Sequence, residues 1–281
     1  MKMRVKLIRL LCPVLLTVIS VLFAFNVSAT ESSYLDYNFV GNNCIVIGCD
    51  AEAKGAITVP ETVAGKTVIQ IADNAFSGCK YITEINLPET VRTIGNSAFA
   101  MCSSLEAFDM PDSVENIGKS VFLKCYGLKT VNFSQSLNVV PEETFYMCES
   151  LRKVEISDDT TVFGKNAFKG CSSLRSIILP ENIGELFSGC FSGCSLLERI
   201  YIPSTVFQIG TDAFEKCIAL KDVYYQGSER SFGKISVLSG NEALSPGSLV
   251  FNHNHRASSV ITTVKSGTLY LSSGTFVSLT T

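Results

Sequence analysis

The stretch NAFSGCKYITEINLPET, from Asn74 to Thr90, is the unit from which most of this chain is built. The same pattern returns 23 residues later as SAFAMCSSLEAFDMPDS, from Ser97 to Ser113. Self-similarity at a short fixed period is the signature of repeat architectures, in which each unit buries its apolar side against the next. We therefore expect a stack of coils, where a coil is one 23-residue repeat.

Two residue types recur at this step along the array. The phenylalanine column comprises Phe76, Phe99, Phe122, Phe145, Phe168, Phe191 and Phe214. The cysteine column comprises Cys79, Cys102, Cys125, Cys148, Cys171, Cys194 and Cys217. One residue of each type per coil, at an invariant offset, predicts two continuous columns of side chains inside the stack.

Each repeat also contains an I-x-L segment beside Pro, and this period of two predicts a short strand. Stacked copies would form a parallel sheet with strands about 4.8 Å apart. A second apolar pair, as in VRTIGNSAF, would line the opposite wall, and the glycines that follow it are expected to permit a bend. These glycines are Gly95, Gly118, Gly164 and Gly210. The predicted fold class is a repeat solenoid, mainly β.

One coil departs from the pattern. The segment FSGCFSGC at 187–194 places Phe187 and Cys190 where other coils have Gly and Ala. Larger side chains at these two positions predict a local distortion of this coil.

The first 29 residues have the layout of a secretory signal peptide. A basic segment without acids precedes an apolar run, and small residues precede a predicted cleavage after Ala29. The apolar run from Leu10 to Phe25 is long, so an uncleaved membrane anchor is the alternative. We expect the protein to be secreted or held at the cell surface.

The net charge argues against two classes of partner. It is −3 for the whole chain, and removing residues 1–29, with four basic residues and no acid, changes it to −7. A polyanionic ligand requires a basic stripe on the protein, and the repeats contain none. We expect neither nucleic acid nor an anionic membrane surface as a ligand, and no membrane span after signal cleavage.

A cap is predicted at each end of the array, because an open apolar coil end promotes aggregation. Residues 30–56 are expected to form an N-terminal hairpin around Gly41-Asn42-Asn43. The solenoid itself is assigned to 57–226, as one enlarged first coil and seven regular steps. The first coil is enlarged because Pro60 and Pro88 lie 28 residues apart instead of 23.

Beyond the array the period is lost. Residues 227–256 keep apolar side chains without the 23-residue spacing, as expected of a C-terminal cap. Residues 257–281 are rich in Ser and Thr and are interpreted as extra strand or as a weakly ordered tail, of which we favour the tail.

Eleven cysteines in a chain predicted to be exported raise the question of disulfides. The cysteine column is expected to hold buried free thiols, since a small apolar side chain suits a fixed interior position. Staggered disulfides between adjacent coils are the alternative, because adjacent coils bring Cα atoms to bonding distance. Cys44 and Cys49 lie outside the column, and a disulfide that closes a loop between them is left open there. A metal site in the column is not expected, because a tetrahedral site needs converging ligands.

Side chains with catalytic potential are few. His253 and His255 share one face of any strand, but a third zinc ligand at a matched spacing is missing. The paired carboxylates at 142–143 and 158–159 fall in turns, where solvated charges are expected rather than an acid/base pair. The sequence contains neither a G-x-S-x-G nucleophile turn nor a glycine-rich phosphate loop. We therefore predict no enzymatic activity, no catalytic residue, no metal and no cofactor.

The motif A-F-x-x-C-x-x-L-x-x-I-x-L-P, in phase from about Ile57 to Tyr225, resembles the BspA-type leucine-rich repeat family of bacterial surface and secreted proteins. The resemblance implies a leucine-rich-repeat-like, right-handed coil stack with a parallel sheet. It also implies a surface or secreted location and attachment to host or matrix proteins.

A candidate binding site follows from the positions that flank the inward I-x-L side chains, because these point outward on the sheet. One outward position per coil reads Asn86, Asp109, Asn132, Glu155, Ile178, Tyr201 and Tyr224. Exposed aromatic residues beside an Arg are typical of binding hot spots. We therefore predict a ligand-binding patch at Ile178, Arg199, Tyr201 and Tyr224. The alternatives are ordinary strand preference of Tyr and Ile and cover by the C-terminal cap.

The predicted function is a non-enzymatic binding or adhesion module that recognises a host matrix or surface protein through the sheet face. The ligand class follows from the family resemblance. A carbohydrate or cell-wall binding module is the alternative, because stacked Tyr rings also suit a glycan. A hydrolase with an unrecognised site is a third reading, and it requires a convergent polar site that the sequence does not reveal.

Overall fold

Each repeat contributes two short strands, one to each wall of a solenoid. The computed structural model describes residues 34–252 and, further along, the strand backbone at 264–265, 268–270 and 276–278. The predicted signal peptide and the two histidines lie outside the described residues. The described chain is mainly β, with about nine turns and almost no helix. The predicted fold class is confirmed.

The N-terminal segment forms a hairpin that covers the first turn of the solenoid. Strand β1 (Leu35–Val40) pairs antiparallel with β2 (Asn43–Cys49), and Gly41 between them has a φ of +58°. Strand β2 then pairs in parallel with β5 (Lys66–Ile71). The hairpin therefore continues one wall of the solenoid and protects its first coil.

The five additional residues of the first coil form a second small hairpin. After β3 (Lys54–Thr58), strand β4 (Thr62–Val63) pairs antiparallel with β5. Ala64 and Gly65 connect the two strands with φ values of +50° and +75°. Two consecutive left-handed residues are the mark of a two-residue hairpin turn that matches the strand twist.

The I-x-L segments build one wall, which we call the front sheet. After β3 its strands are β6 (Tyr81–Asn86), β8 (Ala107–Asp109), β10 (Thr130–Asn132), β12 (Lys153–Glu155), β14 (Ser176–Ile178), β16 (Arg199–Ile202), β18 (Asp222–Tyr225) and β20 (Leu249–Val250). The pairing is parallel, and Val131 pairs with Phe108 on one side and Val154 on the other, one period away in each direction. Ladder pairing runs in three segments, β3-β6, β8-β10-β12 and β14-β16-β18-β20.

The second apolar pair of each repeat builds the opposite wall. After β5 its strands are β7 (Thr93–Ile94), β9 (Asn116–Ile117), β11 (Val139–Val140), β13 (Val162–Phe163), β15 (Glu185–Leu186), β17 (Gln208–Ile209) and β19 (Ser236–Val237). All of these pairings are parallel, in the segments β5-β7-β9 and β11-β13-β15-β17-β19. The core lies between the two walls.

The phenylalanine column fills that core. Its seven rings are all buried, and consecutive rings lie 5.2 to 5.6 Å apart between centroids. The rings of Phe122 and Phe145 are nearly parallel, with 2° between their planes. Stacked aromatic contacts at these separations add to the free energy gained from burying each ring.

The cysteine column lies beside it, with a hydrogen bond at almost every coil. Six thiols, those of Cys102 and the five column cysteines after it, each donate to the carbonyl oxygen of the Phe 26 residues earlier, at 3.0 to 3.2 Å. All ten cysteines that the structure describes are free thiols. Each of these six carbonyls also accepts a hydrogen bond from the backbone nitrogen of the cysteine three residues later, so the thiol supplies a second donor at the turn.

Glycine recurs after four strands of the wall opposite the front sheet for a reason other than the predicted one. Gly95, Gly118, Gly164 and Gly210 do not have a positive φ, so a bend that only glycine permits is the wrong explanation. A Cβ on Gly118 would lie 2.5 Å from the backbone nitrogen of Asn96 in the preceding coil. Glycine is needed because adjacent coils approach closely at this point.

The distortion predicted for the coil at 187–194 is wrong. Strand β15 stays in register with both neighbours, and the ring of Phe191 lies 5.4 Å from Phe168. Phe187 turns its side chain partly into solvent, while Cys190 is fully buried in the position that Ala occupies elsewhere. The coil therefore accepts both larger residues without losing the period.

The C-terminal segment closes the other end. Helix α1 (Glu229–Phe232) begins after Ser228, whose side-chain oxygen accepts a hydrogen bond from Ser231 N, and a 3₁₀ helix (Pro246–Ser248) precedes β20. Phe232 packs edge-on against Tyr225 at 5.2 Å. Three further strands pair antiparallel: β21 (Val264–Lys265), β22 (Thr268–Tyr270) and β23 (Phe276–Ser278). Of the two readings of the tail, these residues form extra strand.

Candidate functional site

Three outward side chains of the front sheet form a continuous apolar strip, which we call the aromatic row: Ile178, Tyr201 and Tyr224. The parallel register places Tyr201 directly between the other two. The inward neighbours on the same strands, Ile177, Ile200 and Val223, are buried in the core. The buried neighbours hold the strands in place, so the row is presented on a supported surface.

The two tyrosines stack on each other. Their ring centroids are 4.7 Å apart and the ring planes differ by 13°. Both residues are half-buried, whereas Ile178 at the end of the row is 50% exposed. An apolar side chain this exposed, next to stacked rings, gives a surface that loses unfavourable contact with water when a partner covers it.

Arg199 lies on the same strand as Tyr201 and points to the same side. Its Nε is 4.0 Å from Asp222 Oδ2, and half of its side chain (51%) is accessible to solvent. An exposed ion pair at this distance contributes little to stability. The guanidinium can therefore exchange Asp222 for a carboxylate of a partner at small cost.

Sequence reasoning missed one neighbour of the row. Val250 on β20 pairs with Tyr224 and is 41% exposed. It lies 26 residues after Tyr224 because the C-terminal cap does not keep the 23-residue spacing. Its only sequence signal is the apolar run Leu249-Val250-Phe251. The cap thus extends the front sheet beside the row.

A groove borders the row on its other side. Strands β12 and β14 do not form a ladder pair, and the cleft at this break has a volume of about 500 Å³. Its lining includes Val154, Leu179 and Pro180 as well as Ile178. The lining also includes charged side chains on and beside β12, so the exposed end of the row continues into a recess of mixed polar and apolar character.

The other half of the front sheet is polar. Asn132 Nδ2 donates to Asp109 Oδ1 at 2.6 Å, and Lys153 forms an ion pair with Glu155 on the same strand. Along the outward positions of the front sheet, the strands before Ile178 carry polar side chains that form hydrogen bonds and ion pairs. From Ile178 onward the outward side chains expose apolar surface. The two halves of the face suit different contacts.

The disulfide considered between Cys44 and Cys49 is not formed, and both thiols are free. The two residues lie on the single extended strand β2, five residues apart. At about 3.3 Å per residue this separates them by roughly 16 Å, beyond the reach of a disulfide. The staggered disulfides considered for the cysteine column are also not formed.

The paired carboxylates make local contacts instead of a convergent site. Glu142 Oε2 lies 2.8 Å from Lys119 Nζ, and this hydrogen bond lowers the pKa of Glu142. Glu143 Oε2 accepts a hydrogen bond from Ser120 Oγ at 3.2 Å. Among the described residues, no group of three or more His, Cys, Asp and Glu side chains could hold a metal ion.

None of the described helices is long and apolar enough to cross a membrane.

Comparison with known proteins gives a match over most of the repeats. The family model described as "BspA type Leucine rich repeat region (6 copies)" matches residues 55–175 and 135–239. No curated protein sequence matches the chain.

Two solved structures have a similar fold. A leucine-rich repeat protein of T. pallidum is 28% identical, with a TM-score of 0.64, and the match covers 75% of this chain and 97% of that one. A leucine-rich repeat protein of Eubacterium ventriosum is 27% identical, with a TM-score of 0.58, over 65% of this chain and 48% of that one. This chain therefore spans about half of the second protein.

Proposed function

Because this chain belongs to the BspA-type leucine-rich repeat family of bacterial surface proteins, we propose that it is exported and acts as a non-enzymatic binding module. Its ligand is a protein, in first place a host matrix or surface protein. The site is the aromatic row together with Arg199. Export agrees with the signal-peptide layout of residues 1–29.

The observation that carries the proposal is the composition and placement of the row. Two tyrosines, an exposed Ile and a half-exposed Arg occupy adjacent strands of one sheet. Tyr and Arg are enriched among the residues that dominate binding energy, and apolar residues around them exclude water. The two tyrosines already restrict each other by stacking, so less side-chain entropy is lost when a partner binds.

The stacking of the tyrosines favours a protein over a glycan. A sugar binds an aromatic side chain through the face of the ring, and Tyr201 and Tyr224 each use one face to contact the other. In the register the stacked pair is flanked by the apolar side chains of Ile178 and Val250. Edges and apolar side chains match a protein surface better than a sugar ring.

We expect the double substitution Tyr201→Ala, Tyr224→Ala to weaken ligand binding at least about tenfold, corresponding to about 1.4 kcal/mol. The loss follows from removing the stacked pair at the centre of the site. A panel of purified matrix proteins and a glycan array would first identify the ligand. Titration of that ligand against the wild type and the double variant then measures the change in Kd.

Tyr126→Ala is the matched control, since Tyr126 is an exposed tyrosine (41%) that lies outside the front-sheet strands. Its binding should equal that of the wild type. An unchanged Kd for a folded double variant would remove the row from the site. Binding on the glycan array alone would support the carbohydrate alternative.

A further inference from the structure

The first member of the cysteine column differs from the other six. Those six thiols each donate to a Phe carbonyl of the preceding coil at 3.0 to 3.2 Å. No column phenylalanine precedes Cys79, and its thiol lies 3.7 Å from Asp50 O and 3.9 Å from Cys49 O. The carbonyl that the pattern provides elsewhere is replaced here by the end of strand β2.

The thiol of Cys49 lies near the same carbonyl oxygen as the thiol of Cys79. Its Sγ is also 3.7 Å from Asp50 O, so both thiols lie within reach of a single carbonyl oxygen. The two thiols reach this oxygen from different segments of the chain, Cys49 from the end of β2 and Cys79 from the turn that precedes β6. Cys49 is half-buried at the end of the solenoid, whereas Cys79 is buried.

We propose that Cys49 and Cys79 are a redox site, and that in an oxidising environment they form a disulfide that joins the hairpin cap to the first regular coil. The oxidant is a disulfide-bearing molecule, either a small one or the disulfide of a thiol oxidase. Cys49, the more accessible thiol, attacks that disulfide and releases one thiol of the oxidant. Cys79 then attacks Cys49 Sγ as the thiolate and expels the second thiol. Two protons and two electrons leave the cysteine pair, and one disulfide of the oxidant becomes two thiols.

The other described cysteines are not placed for this reaction. The six later column thiols and Cys190 are buried, and the six column thiols already donate to carbonyls. Cys44 lies at the opposite end of β2 from Cys49. The loop from Cys49 to Cys79 contains the enlarged first coil, so the bridge would constrain the part of the unfolded chain that must form the cap.

The test treats the folded full chain with oxidised glutathione and then digests it with trypsin without reductant. The expected product links the peptide Thr67–Lys80, whose only cysteine is Cys79, to the peptide that contains Cys49. Cys49→Ser should abolish this product, and the matched control Cys44→Ser should keep it. Adding reductant should lower the temperature of thermal unfolding of the oxidised wild type and leave that of Cys49→Ser unchanged.

Two outcomes would overturn the proposal. One is that Cys49 and Cys79 both remain alkylatable thiols after oxidation of the folded chain. The other is a linked product that survives in Cys49→Ser, because a different thiol would then be the partner. Neither result bears on ligand binding by the aromatic row, which lies at the other end of the array.

Discussion

Raising the pH from 8 to 11 is expected to unfold the solenoid, because its column thiols are buried in the neutral form. Burial raises the pKa of every column cysteine after the first, namely Cys102, Cys125, Cys148, Cys171, Cys194 and Cys217. For Cys217 the pKa rises to about 12. In an unfolded chain a thiol has a pKa of about 8.5.

The sign of the effect follows from proton binding. Between pH 8.5 and 12 the unfolded chain loses thiol protons that the folded chain keeps, so the free energy of unfolding falls as the pH rises. The stabilisation is complete below about pH 8.5 and disappears as the pH approaches the raised values. Each thiol contributes about 1.4 kcal/mol per pH unit in this window, and six together contribute up to about 8 kcal/mol per unit.

Urea unfolding followed by far-ultraviolet circular dichroism at a series of pH values measures this dependence. Cys148→Ser is the matched variant, because a serine hydroxyl can still donate to Phe122 O and does not titrate in this range. Its free energy of unfolding should fall less steeply, by about 1.4 kcal/mol per pH unit. The same slope in both proteins would mean that the thiol is not buried in the folded chain.

The second large effect is expected from Phe145→Ala. The ring of Phe145 is fully buried and stacks between Phe122 at 5.6 Å and Phe168 at 5.2 Å. Its removal leaves a cavity in the middle of the column, and neighbouring coils cannot collapse into it without breaking the ladder register. The free energy of unfolding should fall by about 3–5 kcal/mol.

Phe207→Ala is the control for this substitution, since the side chain of Phe207 is 62% exposed on the outside of the solenoid. Its cost should stay within about 0.5 kcal/mol. Urea midpoints of the two variants and the wild type, compared at one pH, give the difference. Equal losses at positions 145 and 207 would show that the column ring makes no special contribution.

The fold could be predicted from the sequence because one side chain per coil occupies the same environment at every step. The Phe and Cys columns depend only on the 23-residue repeat from one coil to the next. The adjacency of Ile178, Tyr201 and Tyr224 depends on the same repeat. The family resemblance and the fold class are both confirmed.

Features that do not follow the 23-residue repeat were harder to predict. Val250 joins the row through a cap that lacks the period, and the free state of Cys44 depends on its lying on one strand with Cys49. The role of Gly118 depends on the distance to Asn96 in another coil, which no local pattern contains. The stacking of the two tyrosines and the groove beside Ile178 likewise required side-chain positions.

The central claim is that coils separated by 23 residues are interchangeable in the stack. Deleting residues 130–152 joins Lys129 to Lys153 and keeps Val154 in the inward position of Val131, with which it already pairs. Deleting 130–153 removes one residue more and turns every later inward side chain of that strand outward. Thermal unfolding followed by circular dichroism should show a cooperative transition for the 23-residue deletion and none for the 24-residue deletion. Indistinguishable behaviour of the two deletions would contradict the in-register stack.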